Sequence, residues 1–319
     1  AMAAQGRDIK MSKTRLENYR NFATKIWNAC RFLEMNNCTA SAKSIDLATV
    51  SEPVNRWIVS EFNTAVARTT AAVEAYRFNE AADTIYAFIW NAYCDWYVEL
   101  IKPQLDGEAG ETRATAATVL EASLRLLHPF MPYLTEELNK KIFGSEELMI
   151  TAAWPEHVVL PESDAPAEIN FLISLITDIR HIRSEMNVPL SAKPVLQMRG
   201  LSDLQARSID INKAALLRLA RLDAVESVDS FGKGTARDTV DGVDIGLPLA
   251  DILDLDAERA RLEKAIAGVD DEISKIARKL DNPGFVAKAP VEVVEENRRR
   301  LDEENTRRGA IEAALARLG

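Results

Sequence analysis

The strongest constraint on the fold is a regular apolar repeat near the end of the chain. Its members alternate in spacing between four and three residues: Leu262, Ile266, Val269, Ile273, Ile276 and Leu280. This spacing holds one seam of a helix against a partner helix, as in coiled coils. The sequence Asp281-Asn-Pro-Gly284 then interrupts the helix, and a second seam follows. Two helices of similar length joined by a Pro-Gly loop predict an antiparallel coiled-coil hairpin.

The second helix of this hairpin is predicted over residues 291–318. Its apolar seam consists of Val294, Leu301, Ile311, Leu315 and Leu318, interrupted by Asn297, Glu304 and Arg308. Basic residues gather near the loop end of the hairpin: Arg278, Lys279, Lys288 and the run Arg298-Arg299-Arg300. Because three consecutive residues cover most of a helical turn, we expect one of these three arginines to face the partner helix.

The first 150 residues predict a helical bundle. Apolar residues recur every three or four positions from Leu16 to Leu33, which indicates an amphipathic helix over residues 14–33. Further helices are predicted near 51–76, 82–101, 111–127 and 133–143. Helices of this length with short connections are typical of an antiparallel bundle. Polar residues of the first helix lie largely off its apolar stripe, among them Arg20, Lys25, Asn28 and Arg31.

The region between bundle and hairpin has a mixed pattern. A helix is predicted over 168–186, a strand over 194–199, one helix or two short ones over 201–219, and strands at 225–228 and 240–249. The chain is therefore predicted to be mainly α, with a helix bundle (residues 1–155), a small α+β linker domain (156–255) and a coiled-coil hairpin (256–319).

Charge and cysteine content limit the possible functions. The net charge of −10 by itself argues against a nucleic-acid binder, but residues 1–43 hold eight Lys and Arg against three Asp and Glu. Cys30, Cys38 and Cys94 show no CxxC spacing, so neither a zinc site nor a disulfide framework is predicted. Without a long apolar run we expect no membrane span, and a reducing cytoplasm suits three free thiols.

Short motifs along the bundle resemble one family. They are Gly6-Arg-Asp-Ile-Lys10, Lys25-Ile-Trp-Asn-Ala-Cys-Arg-Phe32, Asn91-Ala-Tyr-Cys-Asp-Trp-Tyr-Val-Glu99 and Leu126-Leu-His-Pro-Phe-Met-Pro132. In this order they resemble the anticodon-binding domain of class I aminoacyl-tRNA synthetases of the valine, isoleucine and leucine group. The hairpin loop Asn282-Pro-Gly-Phe-Val-Ala-Lys-Ala-Pro290 resembles the arm that ends valyl-tRNA synthetases. Over its whole length the chain is similar to the C-terminal part of a bacterial member of that family.

The resemblance implies a role in recognising tRNA(Val). Splayed anticodon bases are read on their edges and stacked on planar side chains. On the bundle, Asn28 and Arg31 are expected near the bases, Arg20 and Lys25 near phosphates, and Trp96 at the base pocket. On the arm, the tRNA outer corner is expected to meet Arg278, Lys279, Lys288, Arg298 and Arg299.

The resemblance also implies what the chain does not do. The parent attaches valine to tRNA using ATP and Mg²⁺, but the adenylation and editing domains are absent here. We therefore expect an inactive fragment with no catalytic residue, metal or cofactor of its own, and a cytoplasmic monomer. The competing interpretation is a structural or protein-interaction helical module without RNA binding, which the net negative charge favours.

Two motifs suggest nucleotide chemistry that we do not predict. Lys10-Met-Ser-Lys13 matches four letters of the synthetase Lys-Met-Ser-Lys-Ser signature, but Thr14-Arg15 follows and no nucleotide-binding fold precedes it. We interpret this motif as part of the N-terminal end of the first helix. Gly232-Lys-Gly-Thr235 lacks the first glycine of a P-loop, because Ser227 stands in that place, and it predicts a β-turn instead.

Overall fold

The computed structural model describes residues 13–39 and 45–317, which form two compact units. The first unit runs to Ile173 and includes Asp210–Ala215, and the second comprises Ser174–Ile209 and continues from Leu216. The helices of the first unit are α1 (Lys13–Met35), α2 (Pro53–Glu74), α3 (Phe78–Ala87), α4 (Val98–Ile101), α5 (Gly110–Leu127), α6 (Pro132–Phe143) and the beginning of α7 (Ala165–Glu185). Short 3₁₀ turns lie at Leu47–Thr49, Lys102–Gln104 and Met149–Thr151. The predicted bundle is confirmed.

The apolar stripe of α1 is buried over only part of its predicted length. Phe22, Ile26 and Leu33 are within the core, whereas Leu16 and Tyr19 are 51% and 42% exposed. The predicted stripe therefore packs against the bundle only from Phe22 onward. The prediction at Lys10-Met-Ser-Lys13 lies outside the described residues except for Lys13, where α1 begins.

A carboxylate from another helix caps the start of α2. No side chain of α2's own N-cap residue, Glu52, forms a capping hydrogen bond. Instead Glu111, in the first turn of α5, accepts from the backbone N–H groups of Ser51 (3.1 Å) and Glu52 (2.9 Å). It also accepts from the buried Asn55 amide at 2.9 Å, and Asn55 in turn accepts from the Tyr97 hydroxyl at 2.8 Å. Thus one carboxylate ties together α2, α5 and the helix that carries Tyr97.

Between α3 and α4 the helix changes its hydrogen-bonding pattern. Residues Phe88–Tyr97 are π-helical, with α-helix on both sides. Such segments are rare and mostly one turn long, so ten residues form an unusual insertion into a helix. The apolar spacing of residues 82–101 predicts one ordinary α-helix and contains no signal for this change.

The second unit contains a four-stranded mixed sheet in the order β2-β1-β4-β3. The strands are β1 (Leu196–Arg199), β2 (Val225–Ser227), β3 (Thr235–Val240) and β4 (Val243–Pro248). Strand β1 is parallel to β2 and antiparallel to β4, which pairs with β3. The strand predicted over 240–249 contains β4 but begins too early, because Asp241 and Gly242, both with positive φ (47° and 81°), make the tight turn that joins β4 to β3. Strand β3 was not predicted.

Two short helices cross the region predicted as one helix or two. They are α8 (Asp203–Ile211) and α9 (Lys213–Ala220), so the two-helix alternative is confirmed. The predicted turn at Gly232-Lys-Gly-Thr235 is also confirmed, and Thr235 begins β3. No helix starts there, so the segment lacks the helix N-terminus that a P-loop places against phosphates.

The hairpin consists of α10 (Leu255–Leu280) and α12 (Val291–Arg317), with the short helix α11 (Pro283–Lys288) between them. The predicted loop is therefore partly helical, because Asn282 caps α11 by accepting from Gly284 N and Phe285 N. The two long helices pack together, with Leu262, Val269 and Ile276 of α10 buried, as are Val294, Asn297 and Ala314 of α12. Leu318 lies outside the described residues. The predicted coiled-coil hairpin is confirmed.

None of the helices formed by residues 13–39 and 45–317 is both long and apolar enough to cross a membrane.

Candidate nucleic-acid interface

One exposed face of α1 carries the predicted base-reading residues. Arg20, Asn28 and Arg31 are all exposed, and with Thr24 they form a line spaced by four, four and three residues. The Thr24 hydroxyl donates to the Arg20 carbonyl at 3.1 Å, so it is engaged with its own helix. Neither Arg20 nor Arg31 forms an ion pair with any described residue. Two guanidinium groups and an amide thus face solvent along one line.

Lys25 lies beside this line but is held within the bundle. Its ammonium lies 3.7 Å from the centre of the Trp90 ring and pairs with Asp95. The Lys25 side chain is only 22% exposed. A cation placed between an aromatic face and a carboxylate is already neutralised. A phosphate that contacts Lys25 must therefore compete with Asp95.

Lys25 packs on a cluster of aromatic rings formed by Phe22, Tyr86 and Trp90. Phe22 and Tyr86 lie 4.5 Å apart between ring centres, and Tyr86 stacks on Trp90 at 5.7 Å with a 13° interplanar angle. Burial raises the pKa of Tyr86, and the nearby Tyr19 and Asp95 add to this shift. The cluster connects α1 to α3 and to the π-helical segment, and it holds α1 in place against them.

Trp96 lies on the π-helical segment and is half-buried. Its neighbours Tyr93 and Tyr97 are completely buried, and their hydroxyls donate to the Ala116 carbonyl (2.6 Å) and to Asn55. Burial raises the pKa of both phenols well above the ordinary value. Tyr93 and Tyr97 therefore serve packing, whereas part of the Trp96 ring reaches the surface.

The basic residues of the hairpin lie near its tip. Arg278 and Lys279 occupy the last turn of α10, Lys288 ends α11, and Arg298 lies on α12, and all four are exposed. Within the described part of the chain these four form no ion pair. The tip thus presents cations to solvent from all three helices.

Arg299 differs from the other basic residues at the tip. It pairs with Glu296 at 2.6 Å and with Glu303 at 3.6 Å, and hydrogen bonding to Glu296 raises its pKa. The expectation that one of Arg298, Arg299 and Arg300 faces the partner helix is wrong, because all three are exposed. The neighbouring Asn297 is buried instead, which turns the arginines away from α10.

The three cysteines are buried and their thiols are held in the neutral form. Burial raises the pKa of Cys38 to about 11 and that of Cys94 to about 12, and it also raises the pKa of Cys30. Buried neutral thiols are poor nucleophiles. Among the described residues no group of three or more His, Cys, Asp or Glu side chains could hold a metal ion.

Sequence reasoning missed the partners of several of these residues. Asp95 and Trp90, which engage Lys25, follow it by 70 and 65 positions, and no periodic signal links them. Glu111 stands 59 positions from the backbone N–H of Glu52 that it caps. A motif records residue types along the chain, whereas these contacts depend on how helices are placed side by side.

Two known families match the chain. Residues 55–198 match the anticodon-binding domain of tRNA ligase, and residues 254–319 match the valyl tRNA synthetase tRNA binding arm. The first match begins within α2, so it does not include α1.

Curated relatives cover α1 as well. A valine-tRNA ligase of Caulobacter vibrioides is 48% identical across 100% of this chain and 36% of its own length. Valine-tRNA ligases of Rhizobium meliloti and Agrobacterium fabrum are each 43% identical across 99% of the chain and 34% of their own length. The chain thus spans about a third of the length of these relatives.

Proposed function

The chain belongs to the valyl-tRNA synthetase family through its anticodon-binding domain and its tRNA-binding arm, and we propose that it binds tRNA(Val) at two places. The observation that carries this proposal is the presence of both matched regions in one chain. The bundle binds the anticodon region, and the arm binds the outer corner of the tRNA. The proposal keeps the three-domain division at residues 155 and 255, with the α+β domain as the linker.

On the bundle, the exposed line of α1 meets the anticodon. Asn28 and Arg31 present amide and guanidinium donors suited to base edges, and Arg20 presents a cation suited to a loop phosphate. Trp96 offers a partly exposed ring for stacking, an interaction worth about 1–3 kcal/mol per base in single-stranded binding. Lys25 packs on Trp90 and pairs with Asp95, so it can bind a phosphate only if its ion pair with Asp95 breaks.

On the arm, the tip contacts the RNA backbone. Arg278, Lys279, Lys288 and Arg298 have exposed cations, so each can neutralise a phosphate. Arg299 takes part by exchanging Glu296 and Glu303 for phosphate. This surface supplies affinity that depends on salt, whereas the α1 face supplies discrimination between bases.

The whole protein is proposed to attach valine to tRNA(Val) with ATP and Mg²⁺. Gly232–Thr235 is a turn before β3 rather than a loop before a helix, so it does not form a phosphate-binding loop of the P-loop kind. This chain therefore supplies recognition that places the acceptor end of tRNA in a distant site, and we expect it to be inactive alone. The proposed location is the cytoplasm, and the proposed state is a monomer because the hairpin pairs within one chain.

The alternative is a structural or protein-interaction module without RNA binding. The net charge of −10 favours it, since negative charge repels RNA. A gel-shift titration with tRNA(Val) and a non-cognate tRNA at several salt concentrations separates the two functions. We expect binding that weakens steeply with salt and prefers tRNA(Val). No binding at low salt, with helicity intact by circular dichroism, would contradict the proposal.

A further inference from the structure

The base of the hairpin is fixed at one residue of α7. Arg317, in the last turn of α12, pairs with the Glu185 carboxylate at the end of α7 and with Asp238 of β3, the latter at 2.7 Å. The three side chains are 21%, 26% and 29% exposed. They are therefore more shielded than the ion pairs at the hairpin tip, such as that of Arg299, which is 64% exposed.

The other hairpin helix reaches the same residue through its backbone. Arg261 of α10 donates from Nη2 to the Glu185 carbonyl oxygen at 3.1 Å. With its amide oxygen turned towards Arg261, Asn187 accepts two further hydrogen bonds at 3.0 and 3.1 Å. Glu258, one turn earlier on α10, pairs with the same guanidinium and keeps it oriented. Each helix of the hairpin thus sends one arginine to Glu185.

Negative charge surrounds the Arg317 guanidinium. Besides Glu185 and Asp238, Asp178 lies on the same helix as Glu185, two turns earlier, and interacts with Asp238, Asp241, His181 and Arg317. Burial, followed by the charge of Asp238, raises the pKa of Asp178. Removing Arg317 would leave these carboxylates facing one another without their shared cation. The site therefore disfavours any arrangement in which α12 moves away.

We propose that Glu185 is the anchor that sets the direction of the hairpin, with Arg317 and Arg261 as its positioning residues. The chain enters the hairpin through residues 249–254, and a single connection of this kind permits swinging. Attachment of both helices to one residue resists it. Resting on the proposed tRNA binding, the anchor determines where the cations of the tip lie when RNA arrives.

The size of the effect follows from the length of the hairpin. A helix of the length of α10, 26 residues, extends ~39 Å, so a swing of about 20° at its base displaces the tip by ~13 Å. Such a displacement exceeds the size of one phosphate contact and is readily detected by distance measurement between two spin labels.

The test uses the full chain with labels at Ala287→Cys near the tip and Glu226→Cys on β2, both exposed positions. The three native thiols are buried, so labelling at neutral pH is confined to the introduced cysteines. We expect a narrow distance distribution in the unchanged chain and a broad one in Arg317→Gln. Glu185→Gln should broaden it less, because Arg317 then keeps Asp238 as a partner, whereas Arg317→Gln removes both ion pairs.

Arg308→Gln is the matched control. Arg308 also bridges two carboxylates, Asp270 at 2.6 Å and Glu312 at 3.0 Å, but both lie within the hairpin. This variant should leave the distribution narrow. Arg317→Lys, which keeps the charge and satisfies one carboxylate, should restore most of the narrow distribution if Arg317→Gln folds poorly. A distribution as narrow in Arg317→Gln as in the unchanged chain overturns the proposal.

Binding measurements separate the anchor from the proposed function. If the chain binds tRNA, Arg317→Gln should weaken affinity for full-length tRNA(Val) about ten-fold and leave the anticodon stem-loop unchanged. If the unchanged chain binds no tRNA while Arg317→Gln still broadens the distances, the proposed function fails and the anchor stands. If Arg317→Gln broadens the distances but binds tRNA as tightly as the unchanged chain, the anchor does not position the hairpin tip for tRNA binding.

Discussion

The bundle and the hairpin are both helical, but they bury their apolar residues to different degrees. In the bundle, Ile58, Ile85 and Ile89 are completely buried. In the hairpin, Leu262, Val269 and Ile276 are 3% exposed, whereas the alternate seam residues Ile266, Ile273 and Leu280 are only half-buried. A bundle surrounds each side chain, while a pair of helices covers it from one side. The stability of the bundle therefore depends mainly on its closely packed core, and that of the hairpin depends more on the charged side chains along its two helices.

The largest expected effect is a difference between matched isoleucine truncations. Ile58→Ala should lower the free energy of unfolding of the bundle by about 3–4 kcal/mol, because it opens a cavity in a closed core. Ile273→Ala should cost the hairpin about 1–2 kcal/mol, because less apolar surface leaves contact. Urea unfolding, monitored by hydrogen exchange separately in the bundle and in the hairpin, measures both costs. Ile211→Ala, at an exposed position, is the control. Equal costs would show that the two regions depend equally on apolar packing.

The next effect concerns the long-range cap of α2. Burial alone would raise the pKa of Glu111, but hydrogen bonds from the Asn55 and Ser51 side chains and from the backbone of Glu52 and Ser51 lower it overall. Glu111→Gln should therefore cost the bundle about 1–2 kcal/mol at pH 7, since hydrogen bonds to a charged acceptor are stronger than those to a neutral one.

The pH dependence of this cost has a defined sign. Because the folded pKa lies below the ordinary value of 4.5, the stabilisation is present above pH 4.5 and is lost as pH falls through the folded pKa. Thermal unfolding of both chains from pH 7 to pH 3 should show the two curves converging at low pH. Glu108→Gln, an exposed neighbour, should follow the unchanged chain throughout. A gap that stays constant with pH would exclude a charged cap.

An effect of similar size, on binding rather than on stability, distinguishes the two proposed RNA surfaces. Asn28→Ala with Arg31→Ala should weaken binding of an anticodon stem-loop by about 1–3 kcal/mol, because base-edge donors are removed. Arg278→Ala with Lys279→Ala should leave the stem-loop unaffected. It should instead weaken binding of full-length tRNA and lower the salt slope by roughly 2. Equal effects of both double variants on both ligands would show that the surfaces are assigned wrongly.

The smallest effect lies in the second unit, at Asp178. Its folded pKa is raised by burial and by Asp238, so ionisation opposes folding as pH rises above the ordinary value of 3.8. Asp178→Asn should slightly raise the melting temperature at pH 7, and the gain should vanish below pH 3.8, where the carboxyl is neutral in both states. Asp251→Asn, at an exposed position, provides the comparison. A gain that persists at low pH would point to packing instead of charge.

Periodic features of the sequence predicted most of the fold. The heptad spacing of Leu262 to Leu280 predicted the hairpin, and three- and four-residue spacing predicted the bundle helices, because each pattern is local and repeated. Gly144, in the left-handed conformation at φ 63°, ends α6 where the sequence places the end of that helix. The hairpin turn at Asp241-Gly242 carried a known local signal that the strand prediction overlooked.

The candidate site was less accessible to sequence reasoning. The exposure of Arg20, Asn28 and Arg31 follows from their position off the apolar stripe, which the sequence shows. The engagement of Lys25 by Asp95, and of Arg317 by Glu185, depends on residues 70 and 132 positions away. Charged residues are common on every helix face, so sequence alone cannot select which pairs meet. These contacts become visible only when the packing of the helices is known.

The π-helical segment Phe88–Tyr97 has a consequence for how this helix tolerates changes in length. An ordinary α-helix advances about 100° per residue, so deleting one residue rotates everything beyond it onto another face. The wider turns of a π-helix hold an additional residue without that rotation. With about 4.4 residues per π-helical turn, the ten residues turn through nearly the same angle as eight α-helical residues, so removing two residues here, with reversion to α-helical turns, would keep Ile85 and Ile101 inward. A change of length within this segment would therefore alter which aromatic residues lie beside Lys25, while the helical residues on both sides stay in the core.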